Sequence, residues 1–359
     1  MKKKIIIIVS TIFSFFVLCL VGLVIFYNLS LKAVDKNDIK DVTFVIESGT
    51  SSNVVVDQLY DNGLIRNKYV GYFYLKFHDD YVIQAGVYEL NSGMNFKKII
   101  EILGTGKVVD DSISVTFIEG KRITNYIDVI SNKFGYSEDE ILEIISDKDY
   151  LKELIDKYWF LTEDILNDKL YYALEGYLAP NTYFFNKDDS ISDIIEKLLD
   201  AREVQLNKYK DTILDSKYSI HELLTMASIV ELEGANSDDR RGVAGVFYNR
   251  LNSGWSLGSD VTTYYAARVE MSERDLYQYE LDDVNDYNTR VASMAGKLPV
   301  GPICNPGMDS VLAALEPESH DYYYFVADKN GKTYFTKTNN EHIAVINELK
   351  KNDLWYVYE

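Results

Sequence analysis

The stretch that decides the fold of the larger domain reads Ser-Ile-His-Glu-Leu-Leu-Thr-Met-Ala-Ser-Ile-Val-Glu-Leu-Glu-Gly and spans residues 219–234. Ser219 and Glu222 have the spacing of a capping box, and the stretch ends in a glycine, where a helix would stop. The pattern predicts a helix over about 220–233. At about 100° per residue, its apolar side chains form one stripe, and Glu231 falls inside that stripe.

A carboxyl group among core-facing residues has two interpretations. Burial disfavours the charged form of a carboxyl, and a carboxyl that keeps its proton can act as a general acid. The alternative is structural, because Glu231 could pair with an arginine on the following helix, such as Arg240, Arg241 or Arg250. Helical geometry alone leaves both interpretations open.

Glu233 is a second acidic residue on the same predicted helix. It stands about 200° around the helix from Glu231, so the two side chains cannot face one bond together. Ordinary glycosidases place two carboxyl groups on either side of the scissile oxygen. The helix therefore favours a mechanism in which a single glutamate, Glu231, carries the acid and base work.

Later stretches could supply a groove for sugars. Residues 257–265 combine an acid, hydroxyls and tyrosines, although an exposed strand edge can have the same composition. Residues 287–290 and 298–307 predict loops, and loops held by neighbouring helices often build sites. Side chains that could position sugars by hydrogen bonds and stacking are Asp260, Tyr265 and Asn288.

The first thirty residues have the pattern of a membrane anchor. Three lysines at 2–4 precede an almost wholly apolar, uncharged run at 5–27. As a helix that run would measure about 34 Å, against about 30 Å for the core of a bilayer. A cleaved signal peptide is the alternative, but its apolar region is usually only about 7–15 residues long. The positive-inside rule then predicts a single-pass protein with residues 1–4 in the cytoplasm and the domains outside the cell membrane.

Charge and cysteine content exclude several classes of function. The chain has 56 acidic and 37 basic residues, a net charge of −19, so no nucleic-acid partner is expected. Cys19 lies in the apolar run and Cys304 stands alone, which rules out an intrachain disulfide framework. The four histidines lack metal-ligand spacing, so neither a metal nor another cofactor is expected.

The chain divides into a small module and a larger domain. After a linker at 28–41, strand and helix patterns alternate over 42–107 and predict a compact α+β module. The strand-then-glycine step of this module returns at 115–120, where it opens a mostly helical α+β domain over 112–359. The expected fold class is therefore α+β, with an N-terminal transmembrane helix before the two domains.

Ordered motifs of the larger domain lie at 227–233, 246–251, 259–262, 287–289 and 301–307. Together they resemble the YceG-like family, the endolytic murein transglycosylases usually called MltG. The resemblance extends to 175–178 and to 86–88 in the small module, so it covers nearly the whole chain after the apolar run.

The resemblance implies a LysM-like module at 42–107 and a catalytic glutamate that matches Glu231. It implies a lyase that cuts peptidoglycan strands between N-acetylmuramic acid and N-acetylglucosamine, leaves 1,6-anhydro ends and ends glycan elongation. Peptidoglycan strands are the expected substrate, and cell-wall synthases are candidate partners. Asn181, Val261 and Arg290 depart from the family pattern, which bears on sugar contacts rather than on the chemistry.

Two other functions fit the same sequence. A non-catalytic wall-binding scaffold would use the small module to hold glycan. A hydrolytic muramidase would leave reducing ends and would need a second carboxylate facing Glu231, for which Asp260 is the candidate. Product analysis separates the three, since only the transglycosylase generates anhydro ends.

Overall fold

The chain folds into two compact units. One contains the chain up to Val115 together with Thr182–Lys187, and the other contains Thr116–Asn181 and the chain from Asp188 onward. The predicted end of the small module at 107 lies outside the described residues. The structure is a computed structural model, and it describes residues 2–36, 39–47, 49–78, 82–105, 112–234, 236 and 239–355.

The first element is a long helix, α1 (Lys2–Ser30). Among the described residues, no helix is both long enough and apolar enough to cross a membrane. The predicted transmembrane helix at 5–27 is therefore wrong, whereas the α+β class is confirmed.

The remainder of the first unit is a small α+β module. β1 (Asp41–Ile46) pairs antiparallel with β2 (Gly86–Asn91). Alternate residues of β1 point inward, as expected for a strand with one buried face, so Phe44 and Ile46 join the module core. The helices that complete this core are α2 (Ser52–Asp61), α3 (Lys68–Lys76) and α4 (Phe96–Thr105).

Two short sheets belong to the rest of the chain. β3 (Ser112–Phe117) pairs with β4 (Asn181–Asn186), and the division between the two units falls inside both strands. β5 (Tyr324–Ala327) pairs antiparallel with β6 (Thr333–Thr336). The second unit is otherwise mostly helical, as the sequence predicts.

Several of its helices begin with a capping box, at Ser137, Ser190, Ser219 and Thr338. Two short 3₁₀ helices, Glu163–Leu166 and Ala292–Met294, connect longer elements. The α-helices are α5 (Ile123–Phe134), α6 (Glu138–Ser146), α7 (Lys148–Lys157), α8 (Ile191–Asn207), α9 (Lys210–Leu214), α10 (Ile220–Glu233), α11 (Arg240–Asn252), α12 (Asp260–Ala266), α13 (Gln278–Leu281), α14 (Met308–Leu315) and α15 (Asn339–Lys351).

Helix α10 forms the centre of the second unit. The capping box of Ser219 and Glu222 is present, and the predicted helix over 220–233 is confirmed. The sequence predicts one apolar stripe, but α10 is buried on nearly every side because α11, α12 and α14 pack around it. A helix surrounded in this way can hold a polar side chain only where partners are supplied.

Candidate active site

The carboxyl group of Glu231 lies in the last turn of α10 and accepts hydrogen bonds on both oxygens. Oε2 accepts from the backbone N–H of Gly307 at 3.0 Å and from the hydroxyl of Ser310 at 2.7 Å. Oε1 accepts from Nη2 of Arg240 at 3.0 Å. The Glu231 side chain is only 5% exposed, so three protein donors replace the water that a buried carboxylate loses.

Two of these donors belong to the start of α14. Gly307 is its N-cap residue, and Ser310 lies in its first turn. The first N–H groups of a helix have no partner inside the helix and carry partial positive charge, so this end of a helix attracts anions. Glu231 therefore occupies an anion position built by the start of α14.

The third donor is the first residue of α11. The sequence left open whether Glu231 pairs with Arg240, Arg241 or Arg250, and the ion pair forms with Arg240. Arg241 instead pairs with Glu316 at 3.2 Å, and Arg250 donates to backbone carbonyls. Because the Arg240 side chain is only 12% exposed, the two charges compensate each other where water is largely excluded.

The loop before α14 is attached to one face of α10. His221 and Ser228 hydrogen-bond to backbone groups of Val300 and Ile303 at 2.8 and 3.0 Å. Glu231 continues the same row through its bond to the N-cap of α14. These three polar residues lie within about 80° of one another around the helix. The row fixes the loop against α10 and so determines where its backbone N–H groups point.

Two buried polar side chains hold the loop from its other side. Oδ1 of Asn305 accepts from the N–H groups of Gly176 at 3.0 Å and Leu178 at 3.1 Å. Nη2 of Arg202 donates to the carbonyls of Pro306 at 2.9 Å and Leu178 at 3.2 Å. Asn305 and Arg202 are both 0% exposed. Their bonds satisfy buried backbone groups, which keeps the loop in one conformation.

Glu175 is a buried carboxyl that contributes to the same framework. Its Oε1 accepts from the N–H of Ile123 at 2.9 Å, and its Oε2 lies 3.2 Å from the hydroxyl of Tyr265. Burial raises the pKa of Glu175 to about 8, although these hydrogen bonds and the charge of Arg122 oppose the rise. Glu175 is therefore mostly protonated at pH 7.

A further carboxyl, that of Glu119, lies beside Glu231. A methyl group added to Gly307 would lie 2.2 Å from Oε2 of Glu119 and 3.5 Å from Oε2 of Glu231. Both carboxyl groups thus lie next to the Cα atom of Gly307, where any residue with a side chain would collide with Glu119. Glu119 is exposed, and partial burial still raises its pKa, with a further rise from the charge of Glu231.

The other acidic residue predicted on α10, Glu233, lies in a different environment. Its Oε1 accepts from the hydroxyl of Ser259 at 2.6 Å, and burial raises its pKa, as does the charge of Asp260. Asp260 itself is 59% exposed and pairs with Arg290. The residue proposed from sequence as a second carboxylate for Glu231 therefore lies on the side of Glu233.

The remaining predicted sugar-binding residues are buried. Tyr265 is 2% exposed, and its hydroxyl is directed to Glu175. Asn288 is 0% exposed; it accepts from the hydroxyl of Thr263 and donates to the backbone carbonyls of Glu280, Leu281 and Asp283. These contacts position loops and helices. The exposed strand edge considered for 257–265 is absent, because residues Asp260–Ala266 form α12.

Sequence reasoning missed several residues that build the site. Glu119 had one local signal, an acidic side chain directly before a glycine at the end of a strand pattern. Ser310 and Arg202 had no such signal, because each binds groups far away in the sequence.

The arrangement supplies groups that can move protons. It combines a buried carboxylate, an exposed carboxyl with a raised pKa and a guanidinium, which are the components of general acid–base chemistry. Across the described ranges, no cluster of three or more His, Cys, Asp or Glu residues could hold a metal ion.

Comparisons with known proteins identify related chains. Residues 44–348 match the sequence model of the YceG-like family. An endolytic murein transglycosylase of Bacillus subtilis is 36% identical over 314 residues, which cover 87% of this chain and 86% of the relative. One from Streptococcus pneumoniae is 29% identical over 326 residues, covering 87% of this chain and 59% of the relative. The crystal structure of a yceG-like protein from Listeria monocytogenes matches with a TM-score of 0.61 and 34% identity, covering 86% of this chain and 100% of that chain.

Proposed function

The chain belongs to the YceG-like family, and we propose that it is an endolytic murein transglycosylase. It cleaves the bond between N-acetylmuramic acid and N-acetylglucosamine within glycan strands and leaves 1,6-anhydro ends, which ends elongation of the strand. The similarity to the Bacillus subtilis transglycosylase, 36% identity over 87% of this chain and 86% of the relative, supports this function. The observation that supports the site is Glu231, a carboxylate held by three donors in the central helix.

The reaction needs one proton delivered and one proton removed. The glycosidic oxygen must gain a proton as its bond to C1 of the muramic acid breaks, and the 6-hydroxyl must lose one as its oxygen bonds to C1. Because the attacking oxygen belongs to the substrate, no water enters the product. In the mechanism predicted from the sequence, Glu231 performs both transfers in turn.

Its hydrogen bonds suit Glu231 best to the second transfer. Both oxygens are acceptors in the structure, and an acceptor beside the 6-hydroxyl can take its proton. Arg240 and the start of α14 fix the carboxylate in one orientation. Such preorganisation holds the carboxylate in one orientation, so no rearrangement of the site is needed before the reaction.

A hydrolytic muramidase is the second candidate, and the position of Glu119 is the observation that favours it. Two carboxyl groups near one bond can support attack by water as well as attack by a sugar hydroxyl. The scaffold alternative has less support. A non-catalytic protein would not need the buried pair of Glu231 and Arg240, since apolar residues in its place would lower the free energy of unfolding only a little.

The small module and the protein partners belong to the same proposal. We assign the LysM-like role of holding glycan to the module over 41–105, because it has a core of its own. Murein lies outside the cytoplasm, so the second unit acts there. Cell-wall synthases are proposed partners, since their product is the strand that is cut.

The products of the wild-type enzyme test this function. Purified protein incubated with uncrosslinked glycan strands should release fragments whose muramic acid ends are 1,6-anhydro, detected by mass spectrometry of the muropeptides. In water enriched in ¹⁸O, the new ends should contain no label. Labelled reducing ends would identify a hydrolase, and unchanged strands would indicate a scaffold.

A further inference from the structure

Backbone hydrogen bonds hold Glu119 next to Glu231. It follows β3, and the next residue, Gly120, has a φ of +73°, a conformation that glycine adopts readily. The N–H of Gly120 donates to the carbonyl of Asn305 at 2.9 Å, and the N–H of Asn305 donates to the carbonyl of Lys121 at 2.9 Å. These two bonds join the segment after β3 to the loop before α14.

The two carboxyl groups meet at one point of the backbone. Oε2 of Glu119 and Oε2 of Glu231 both approach the position that a side chain at Gly307 would occupy, at 2.2 and 3.5 Å. The two oxygens cannot be farther apart than these distances combined. Gly120, the residue after Glu119, is also close to Glu231, because a methyl group added to Gly120 would lie 3.5 Å from Cγ of Glu231.

The two carboxyl groups differ in what surrounds them. Both oxygens of Glu231 already accept hydrogen bonds, and the Gly307 N–H and the Arg240 guanidinium can only donate. A proton on Oε1 of Glu231 would face Arg240 without an acceptor. The carboxyl of Glu119 is exposed to solvent, where a glycan strand can reach it.

Electrostatics separate the two groups further. Partial burial is the largest cause that raises the pKa of Glu119, and the charge of Glu231 raises it further. Arg240 lowers this pKa, and Asp309 raises it to a smaller extent. When two carboxyl groups lie close together, a charge on one favours a proton on the other.

We propose that Glu119 is the general acid of the cleavage and that Glu231 is the base, an inference that rests on the proposed function. Glu119 gives its proton to the glycosidic oxygen while the bond from that oxygen to C1 breaks. The departing N-acetylglucosamine keeps the electron pair and the proton as its 4-hydroxyl. The 6-hydroxyl oxygen bonds to C1, and its proton passes to Oε2 of Glu231, whose partner Ser310 has a hydroxyl that can also accept.

The cycle closes without any other reactant. After cleavage Glu231 holds one proton and Glu119 holds none, the reverse of the starting state. Because the carboxyl groups are adjacent and Glu119 contacts solvent, the proton returns from Glu231 to Glu119 directly or through water. This assignment divides between two residues the work that the sequence assigned to Glu231 alone.

A substrate whose leaving group departs without a proton distinguishes a general acid from a residue that only shapes the site, because only the loss of an acid is tolerated on that substrate. Glu119→Gln should cut natural glycan strands at least about 10²-fold more slowly than wild type. On natural strands it should also lose the fall in rate at alkaline pH that deprotonation of the acid causes in wild type. On a muramyl oligosaccharide with a 2,4-dinitrophenyl leaving group, the same variant should stay within a few-fold of wild type. Glu231→Gln should be slow on both substrates. The matched surface control, Glu153→Gln, should behave as wild type.

Four results would overturn the assignment. Glu119→Gln could cut both substrates equally slowly, which would indicate a structural role, or could cut natural strands at the wild-type rate. The third is a wild-type enzyme that makes no anhydro ends, which would refute the proposed function itself and so is distinct from the first two. If Glu119→Gln does not fold, Glu119→Asp keeps an acid in place and should retain part of the activity on natural strands; complete loss there in a folded protein would also refute the assignment.

Discussion

At the scale of single residues, Glu231 obtains its stability and its orientation from the same contacts. A buried charge is costly unless donors replace its water, and removal of one partner of a buried pair costs about 3–5 kcal/mol. Glu231 has a guanidinium, a hydroxyl and a backbone N–H as donors. The contacts that keep the fold intact therefore also fix the orientation of the Glu231 carboxylate.

Glu175 makes stability depend on pH. Its pKa is about 8 in the folded protein against 4.5 for an ordinary glutamate, so the folded state keeps a proton that the unfolded chain loses. The free energy of unfolding should fall as pH rises from about 4.5 to about 8, by at most about 1.4 kcal/mol per unit from this group. Glu175→Gln, which imitates the protonated acid, should flatten this fall in urea unfolding measured at several pH values.

The control for this experiment is Glu153→Gln, a change at an exposed position. It should leave the dependence of unfolding on pH as in wild type. An unchanged slope in Glu175→Gln would mean that this carboxyl is ionised in the folded protein.

At the scale of elements, the site is a junction of α10, the loop before α14 and the start of α14. The loop is bound to His221 and Ser228 on one side and to Arg202 on the other. Each of these contacts joins elements that are distant in sequence. The junction therefore depends on the packing of the whole second unit, and a single substitution at its centre can disturb two carboxyl groups at once.

Gly307→Ala tests this junction. Its φ of −70° suits alanine, but the added methyl group would lie 2.2 Å from Oε2 of Glu119, so the flexible Glu119 side chain must move away. We expect little change in the midpoint of thermal unfolding and a fall in the cleavage rate of about 10²-fold.

Gly22→Ala is the matched control, because its methyl group would meet no atom within 4 Å. It should leave the cleavage rate unchanged. If Gly307→Ala cleaved strands as fast as the control, the position of Glu119 next to this glycine would not matter for the reaction.

Local patterns predicted elements better than they predicted contacts. The helix over 220–233 could be read from its capping box and spacing, and it is confirmed. The row formed by His221, Ser228 and Glu231 was also present in the sequence, as polar residues on one side of a buried helix. What local spacing could not reveal is that Tyr265 and Asn288 lie inside the protein, because their partners come from other segments.

At the scale of the whole molecule, folding brings the segment after β3, the end of α10 and the start of α14 to one place. Glu119 and Gly307 are 188 positions apart in the sequence, so no local period could relate them. The α+β class followed from the alternation of strand and helix patterns. The transmembrane helix predicted at 5–27 was wrong, because no helix among the described residues is both long enough and apolar enough to cross a membrane.

The most direct test of the central claim is the yield of 1,6-anhydro ends from Glu231→Gln, compared with wild type and Glu153→Gln by mass spectrometry on the same uncrosslinked strands. The account predicts that the yield falls by about 10³-fold or more, while circular dichroism shows that the variant is folded. Anhydro ends formed by a folded Glu231→Gln at the rate of wild type would contradict it.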